Sequence, residues 1–108
     1  MRMPGCLQER RGMTAYVIYQ GVIHDAERYA EYVSQVVPNI TGAGGRFVVV
    51  GGDGEALEGE LPTERTIILE FPSRQAALDW YSGEDYTRIR KIRESAARGN
   101  LYVLDGVD

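Results

Sequence analysis

Cysteine and histidine are almost missing from this 108-residue chain, where Cys6 and His24 stand alone. A lone cysteine closes no disulfide within the chain and builds no thiolate cluster, and a lone histidine excludes a multi-histidine metal site. A haem protein is a poor fit too, since His24 falls at a strand end and no other residue marks an axial ligand. The expectation is no metal, no organic cofactor, and a reducing, cytoplasmic setting. Long apolar runs are also missing. No stretch approaches the roughly 18 residues that cross a bilayer, and the opening MRMPGCLQERRG has basic residues without the hydrophobic stretch of a secretory signal. Nor is any basic stripe interleaved with aromatics. The formal net charge is −4, and residues 1–12 carry Arg2, Arg10 and Arg11 against Glu9, or +2, which leaves −6 for residues 13–108. An acidic body of this kind repels a phosphate backbone, so neither nucleic acid nor membrane is an expected partner.

What is present is the composition of an ordinary globular domain, 44% hydrophobic and 26% charged, with room for one core and no second domain. Met13 directly precedes the first strand-like segment. Residues 1–12 are therefore expected to be a flexible extension, or to precede the true start, with residues 13–108 as the single folded unit. Cys6 lies in the extension and is not a candidate nucleophile.

AYVIYQGV, Ala15 to Val22, is β-branched and aromatic and reads as a strand. Asp25 is a good N-cap for a helix whose apolar stripe runs through Tyr29, Tyr32, Val33, Val36 and Val37 until Pro38 bends or ends it. RFVVV (Arg46–Val50) and TIILEF (Thr66–Phe71) are the next two strands. Between them Gly51, Gly52 and Gly54 suit a hairpin-end turn with positive φ, and their spacing matches neither a P-loop nor a dinucleotide fingerprint. Ser73 caps a second helix that breaks near Ser82–Gly83 and resumes, burying Tyr86, Ile89, Ile92 and Ala96. Gly99 is placed for a left-handed C-terminal cap, and LYVL (Leu101–Leu104) is a last strand. The order β-α-β-β-α-β predicts an α+β ferredoxin-like fold: a four-stranded antiparallel sheet with two helices on one face.

The other face is the informative one. A half-solvated strand alternates apolar and polar residues, yet Phe47, Val48, Val49 and Val50 are apolar on both faces, as are Tyr16, Val17, Ile18 and Tyr19. Covering four such side chains is worth about 6–12 kcal/mol in gross transfer free energy. One small core has nothing left to cover them, which predicts a homodimer joined through the sheet face.

The stretch from AYVIYQGVIHDAERYAEYVSQVVPNITGAGGRFVVVGG through Glu64–Ser73 to WYSGEDYTRIRKIRESA at Trp80–Ala96 resembles the bacterial domain-of-unknown-function family 1330, of the dimeric α+β barrel superfamily. The resemblance covers about nine-tenths of the chain. It implies two βαββαβ subunits packed sheet to sheet, each with a cleft. The activity of that family is unassigned. The superfamily includes cofactor-free monooxygenases, isomerases, haem-dependent enzymes and binding modules, so fold alone does not choose among them.

Glu70 and His24 are the candidate catalytic residues. Glu70 shares a strand face with Ile68, and burial there would raise its pKa toward that of a general base; the plainer alternative is an ion pair with an arginine. Histidine is the residue type suited to a lone general base at neutral pH, but His24 sits at a strand-to-helix junction, where an exposed side chain is the ordinary outcome. Arg90 and Arg93 flank the Tyr86/Ile89 stripe and reach either inward, to an anionic ligand or to Glu70, or outward to a solvated face paired with Glu84, Asp85 or Glu94. With helix interruptions at Pro38 and Ser82–Gly83, the expected cleft of a few hundred Å3 is walled by Tyr19, Glu70, Trp80, Tyr86, Arg90 and Arg93, with His24 at its edge. Two functions fit: a cofactor-independent enzyme, isomerase or monooxygenase-like, acting on a small apolar or aromatic molecule, or a non-catalytic homodimeric module that binds one.

Overall fold

Strand β1 (Ala15–Ile23) organises the molecule, because both of its edges are paired: it runs antiparallel to β3 (Arg65–Phe71) on one side and to β4 (Ala97–Asp105) on the other. Strand β2 (Arg46–Gly51) completes a four-stranded sheet of order β2-β3-β1-β4. Helix α1 (Ala26–Gly42) crosses from β1 to β2, and the second crossover is divided into α2 (Arg74–Ser82) and α3 (Glu84–Ala96). This is the expected ferredoxin-like α+β architecture with its second helix cut in two at Gly83. The computed structural model describes residues 14–51, 53–61 and 65–107. The expected N-terminal extension and Met13 lie outside them. No helix among the described residues is long and apolar enough to cross a membrane.

The alternation of β1 sets the two faces. Ala15, Val17, Tyr19 and Gly21 are buried toward the helices, while Tyr16, Ile18, Gln20 and Val22 are half-buried on the open face. Register carries this division across the sheet. Tyr19 lies opposite Ile67 and Leu101 on the helical side; Tyr16 lies opposite Glu70 and Leu104 on the open side. A bulge between Phe47 and Val49 shifts β2, so that Phe47 faces the helices opposite Leu69 and Val49 joins Ile68 on the open face. The open face is apolar, as its strands predict, with Val49, Tyr102 and Leu104 exposed on it. The core lies on the other side, around Phe71, Ile40 and Tyr86, each under 2% exposed.

Both expected caps form: the Asp25 carboxylate accepts from the Arg28 amide at 3.1 Å, and Ser73 Oγ from the Ala76 amide at 3.0 Å. Pro38, however, does not end α1. It sits exposed inside the helix, which runs on to Gly42. A proline costs a helix one hydrogen bond, but the buried stripe Tyr29, Tyr32, Val36 and Ile40 continues past it, and anchoring Ile40 holds the last turn in register. The chain then reverses at Gly44, whose φ of 91° suits glycine.

Two further expectations about glycine fail. Among the described residues the other positive φ is at Gly59, not at Gly51 or Gly54, because residues 53–61 form a longer connection than a tight hairpin; Gly52 lies outside the described residues. Gly99 caps no helix. Helix α3 stops at Ala96 and β4 begins at Ala97 without a loop, so Gly99 is already in the strand opposite Gly21. A Cβ on Gly99 would strike the Gln20 carbonyl oxygen. Close backbone approach, and not turn geometry, is what requires glycine there.

Candidate functional site

Helix α1 does not lie flat on the sheet. Between its Tyr29–Ile40 face and the helical side of β3 and β1 is a cavity of about 230 Å3. Its floor is Val17, Ile67 and Leu69 from the sheet. Its inner wall is aromatic, and its mouth is formed by Val33 and Val37 of α1 with Val50 of β2, all of them exposed. A second space of about 240 Å3 lies on the far side of Trp80, between α2 and β4. It holds no charged side chain, whereas the first is lined by both Arg65 and Arg93.

The aromatic wall follows from helical spacing. Tyr29 and Tyr32 of α1 are a turn apart, with ring centroids separated by 5.5 Å. Across the gap Tyr86 of α3 stacks on Trp80 of α2 at 4.2 Å, and Trp80 meets Phe71 at 5.2 Å. The hydroxyls of Tyr32 and Tyr86 bond to one another at 2.9 Å, and Trp80 Nε1 donates to Asn39 Oδ1 at 2.7 Å. These two bonds join α1 to the α2–α3 layer over the cavity. Burial pushes the phenols of Tyr29, Tyr32 and Tyr86 up from their ordinary pKa, so they stay protonated at neutral pH.

Arg93 is the unusual member. It occupies a buried position on the α3 stripe Tyr86, Ile89, Arg93, Ala96, where apolar residues hold the other places. Only 9% of it is exposed. Its guanidinium lies 4.9 Å from the centroid of the Tyr19 ring, a cation–π contact. Burial works against its charge, but the phenol oxygens of Tyr86, Tyr32 and Tyr19 outweigh that and push its pKa up. It therefore remains a cation.

Of the residues expected to wall the cleft, Tyr19, Trp80, Tyr86 and Arg93 come together in this cavity. Glu70, Arg90 and His24 do not line it. Glu70 is opposite Tyr16 and Arg46 on the open face, where its carboxylate meets Arg46 Nη2 at 2.6 Å. The sheet itself separates it from the cavity. Arg90 covers the Tyr81 ring at 4.6 Å and reaches Glu94 at 3.4 Å. His24 is exposed at the β1–α1 junction, where its amide and that of Asp25 both donate to the Ala96 carbonyl. The expected cavity carboxylate is thus absent among the described lining residues. Tyr29, Tyr32 and Arg65 were not among the expected site residues. Arg65 was recoverable from parity, since it shares a face with Ile67, Leu69 and Phe71.

A sequence profile described as a domain of unknown function (DUF1330) matches residues 14–107. No curated protein matches the chain. Among solved structures it is similar to the RPA0582 protein of unknown function from Rhodopseudomonas palustris, with 21% identity over 94% of this chain and 88% of that one and a TM-score of 0.74. It is also similar to SnoaB, a cofactor-independent oxygenase from Streptomyces nogalater, at 6% identity over 89% of this chain and 95% of that one, with a TM-score of 0.61. At these identities the likeness establishes the fold.

Proposed function

The chain belongs to the DUF1330 family, and from that premise we propose that it binds a small, flat, apolar or aromatic molecule in the cavity beneath α1. The observation that carries this reading is the cavity itself: about 230 Å3, aromatic on its inner wall, and open between Val33, Val37 and Val50. Pockets of this kind commonly pair apolar walls with a few polar groups that fix orientation. Tyr19, Trp80, Tyr86 and Arg93 are the ligand-holding residues, joined by Tyr29 and Tyr32.

A catalytic reading, cofactor-independent and of the isomerase or monooxygenase type, is favoured by Arg93. A buried cation beside the ligand stabilises the negative charge of a substrate that has lost a proton. The shared fold with a cofactor-independent oxygenase supports it. The described lining residues supply neither carboxylate nor imidazole, so the substrate would have to be acidic enough to yield its proton to water.

The chain has a single tryptophan, and Trp80 lines the cavity, so its fluorescence reports occupancy. Saturable quenching by small aromatics is expected, and its absence from a broad aromatic set rejects the binding reading. Oxygen uptake with bound, easily deprotonated hydroxyarenes separates enzyme from binder.

The working unit on this reading is a homodimer joined through the open sheet face, which would cover Val49, Ile68, Tyr102 and Leu104. We place it in the cytoplasm on the strength of its single cysteine.

A further inference from the structure

Two buried polar atoms of cavity-lining residues, Arg93 Nε and Tyr19 Oη, make no hydrogen bond of good geometry, although the two side chains lie against each other. Arg93 is nine-tenths buried, and its Nε has no hydrogen-bond acceptor. None of the ion pairs made by Arg28, Arg46, Arg74, Arg88 and Arg90 reaches Arg93. Tyr19 is 4% exposed, and its hydroxyl, which packs against Gly21, is likewise without a hydrogen-bond partner. Buried polar groups are nearly always satisfied, and a buried charge even more so. By contrast, the Tyr32 and Tyr86 hydroxyls a few residues away satisfy each other.

A guanidinium has only donors, and a phenol hydroxyl both donates its O–H and accepts. A second cation would leave the guanidinium without an acceptor, and a neutral acceptor would leave it without a counter-charge, whereas an anionic oxygen accepts from both groups and supplies that charge. The volume limits the rest. A cavity of about 150 Å3 holds benzene, so about 230 Å3 leaves room for one substituted ring or two fused ones.

Resting on the cavity-binding reading above, we propose that the ligand is an organic monoanion: a one- or two-ring apolar body bearing a carboxylate or equivalent anionic oxygen seated on Arg93 and Tyr19. The body fills the space against Trp80 and Tyr86, and the mouth between the valines admits it ring-last.

The test is calorimetric titration of the full chain near neutral pH with benzoate, cinnamate and naphthoate, each beside its primary amide. The amides match the acids in shape and lack the charge. At least tenfold tighter binding of the best acid over its amide is expected. Arg93→Met should abolish that preference, and Tyr19→Phe should weaken the acid several-fold more than the amide. Should Arg93→Met fail to fold, the acid–amide ratio in the parent chain and in Tyr19→Phe still decides. Equal affinity for acids and amides overturns the anion while leaving the cavity-binding reading intact. No binding of any acid or amide overturns both.

Discussion

The hydroxyls of Tyr32 and Tyr86 meet 2.9 Å apart between α1 and α3, buried on both sides. Either hydroxyl can be the donor, and removing one orphans the other. Tyr32→Phe or Tyr86→Phe should each cost about 1–3 kcal/mol in urea unfolding, because a buried hydroxyl is left unpaired. The double variant should cost less than the sum of the two. Strict additivity would mean that the pair does not join the helices.

Alkaline unfolding should follow from the same phenols. Tyr29, Tyr32 and Tyr86 have pKa values raised above the ordinary 10.0, chiefly by burial. Below that pH both folded and unfolded chains hold these protons, so stability is fully present. Above it the unfolded chain releases them while the folded chain keeps them, and stability falls as pH rises. Ultraviolet phenolate absorbance should show these three tyrosines ionising together with the loss of circular dichroism. Their ionisation in the intact fold would contradict the burial.

Two glycine-to-alanine changes should have opposite signs. Gly99→Ala pushes a methyl into the Gln20 carbonyl and the Gly21 backbone, across the β1–β4 ladder. A loss of about 3 kcal/mol is expected, at the upper end of ordinary substitutions. Gly42→Ala, in the last turn of α1, meets nothing within 4 Å. It should gain up to about 1 kcal/mol from helix propensity. Thermal melts of the two proteins, run side by side, check both signs.

Glu70→Gln should leave ligand affinity unchanged, since the sheet separates Glu70 from the cavity. Loss of its pairing with the largely exposed Arg46 should cost no more than about 1 kcal/mol. A large fall in affinity on titration would show that the open face and the cavity communicate.

Ile68→Lys puts a charge in the middle of the open face, opposite Ile18 and Val49. Light scattering should find the parent chain at twice its 12.0 kDa mass and this variant at the single-chain mass. A parent chain that is monomeric at micromolar concentration removes the sheet-face dimer.

The element order was legible in the sequence because strand composition and the caps at Asp25 and Ser73 are local signals. Which strand face meets the helices was not. Tyr16 and Ile18 are as apolar as Val17 and Tyr19, so parity within β1 could not say that Tyr19 enters the cavity; the register with β3, where Ile67, Leu69 and Phe71 share one face and Glu70 lies on the other, decides that. The Arg93 position was half legible. The spacing of Tyr86, Ile89, Arg93 and Ala96 marks a buried stripe, but Ile92 beside it competes for the same place. Gly99 misled for a different reason. Glycine serves both as a helix stop and where two backbones touch, and only the partner strand tells these apart. Pro38 misled because local backbone preference was outweighed by the distant packing of Ile40.

The loop-free joint between Ala96 and Ala97 makes this molecule brittle toward length change. Insertion or deletion of one residue there turns α3 by about 100° relative to β4, carrying Arg93 off the cavity wall. If the strand absorbs the shift instead, every residue of β4 changes face, and Leu101 trades places with Tyr102. Neither error has a loop in which to dissipate. Substitutions can accumulate along α3 and β4, but their lengths are locked together, and a lineage that keeps the cavity should show no gap at this point.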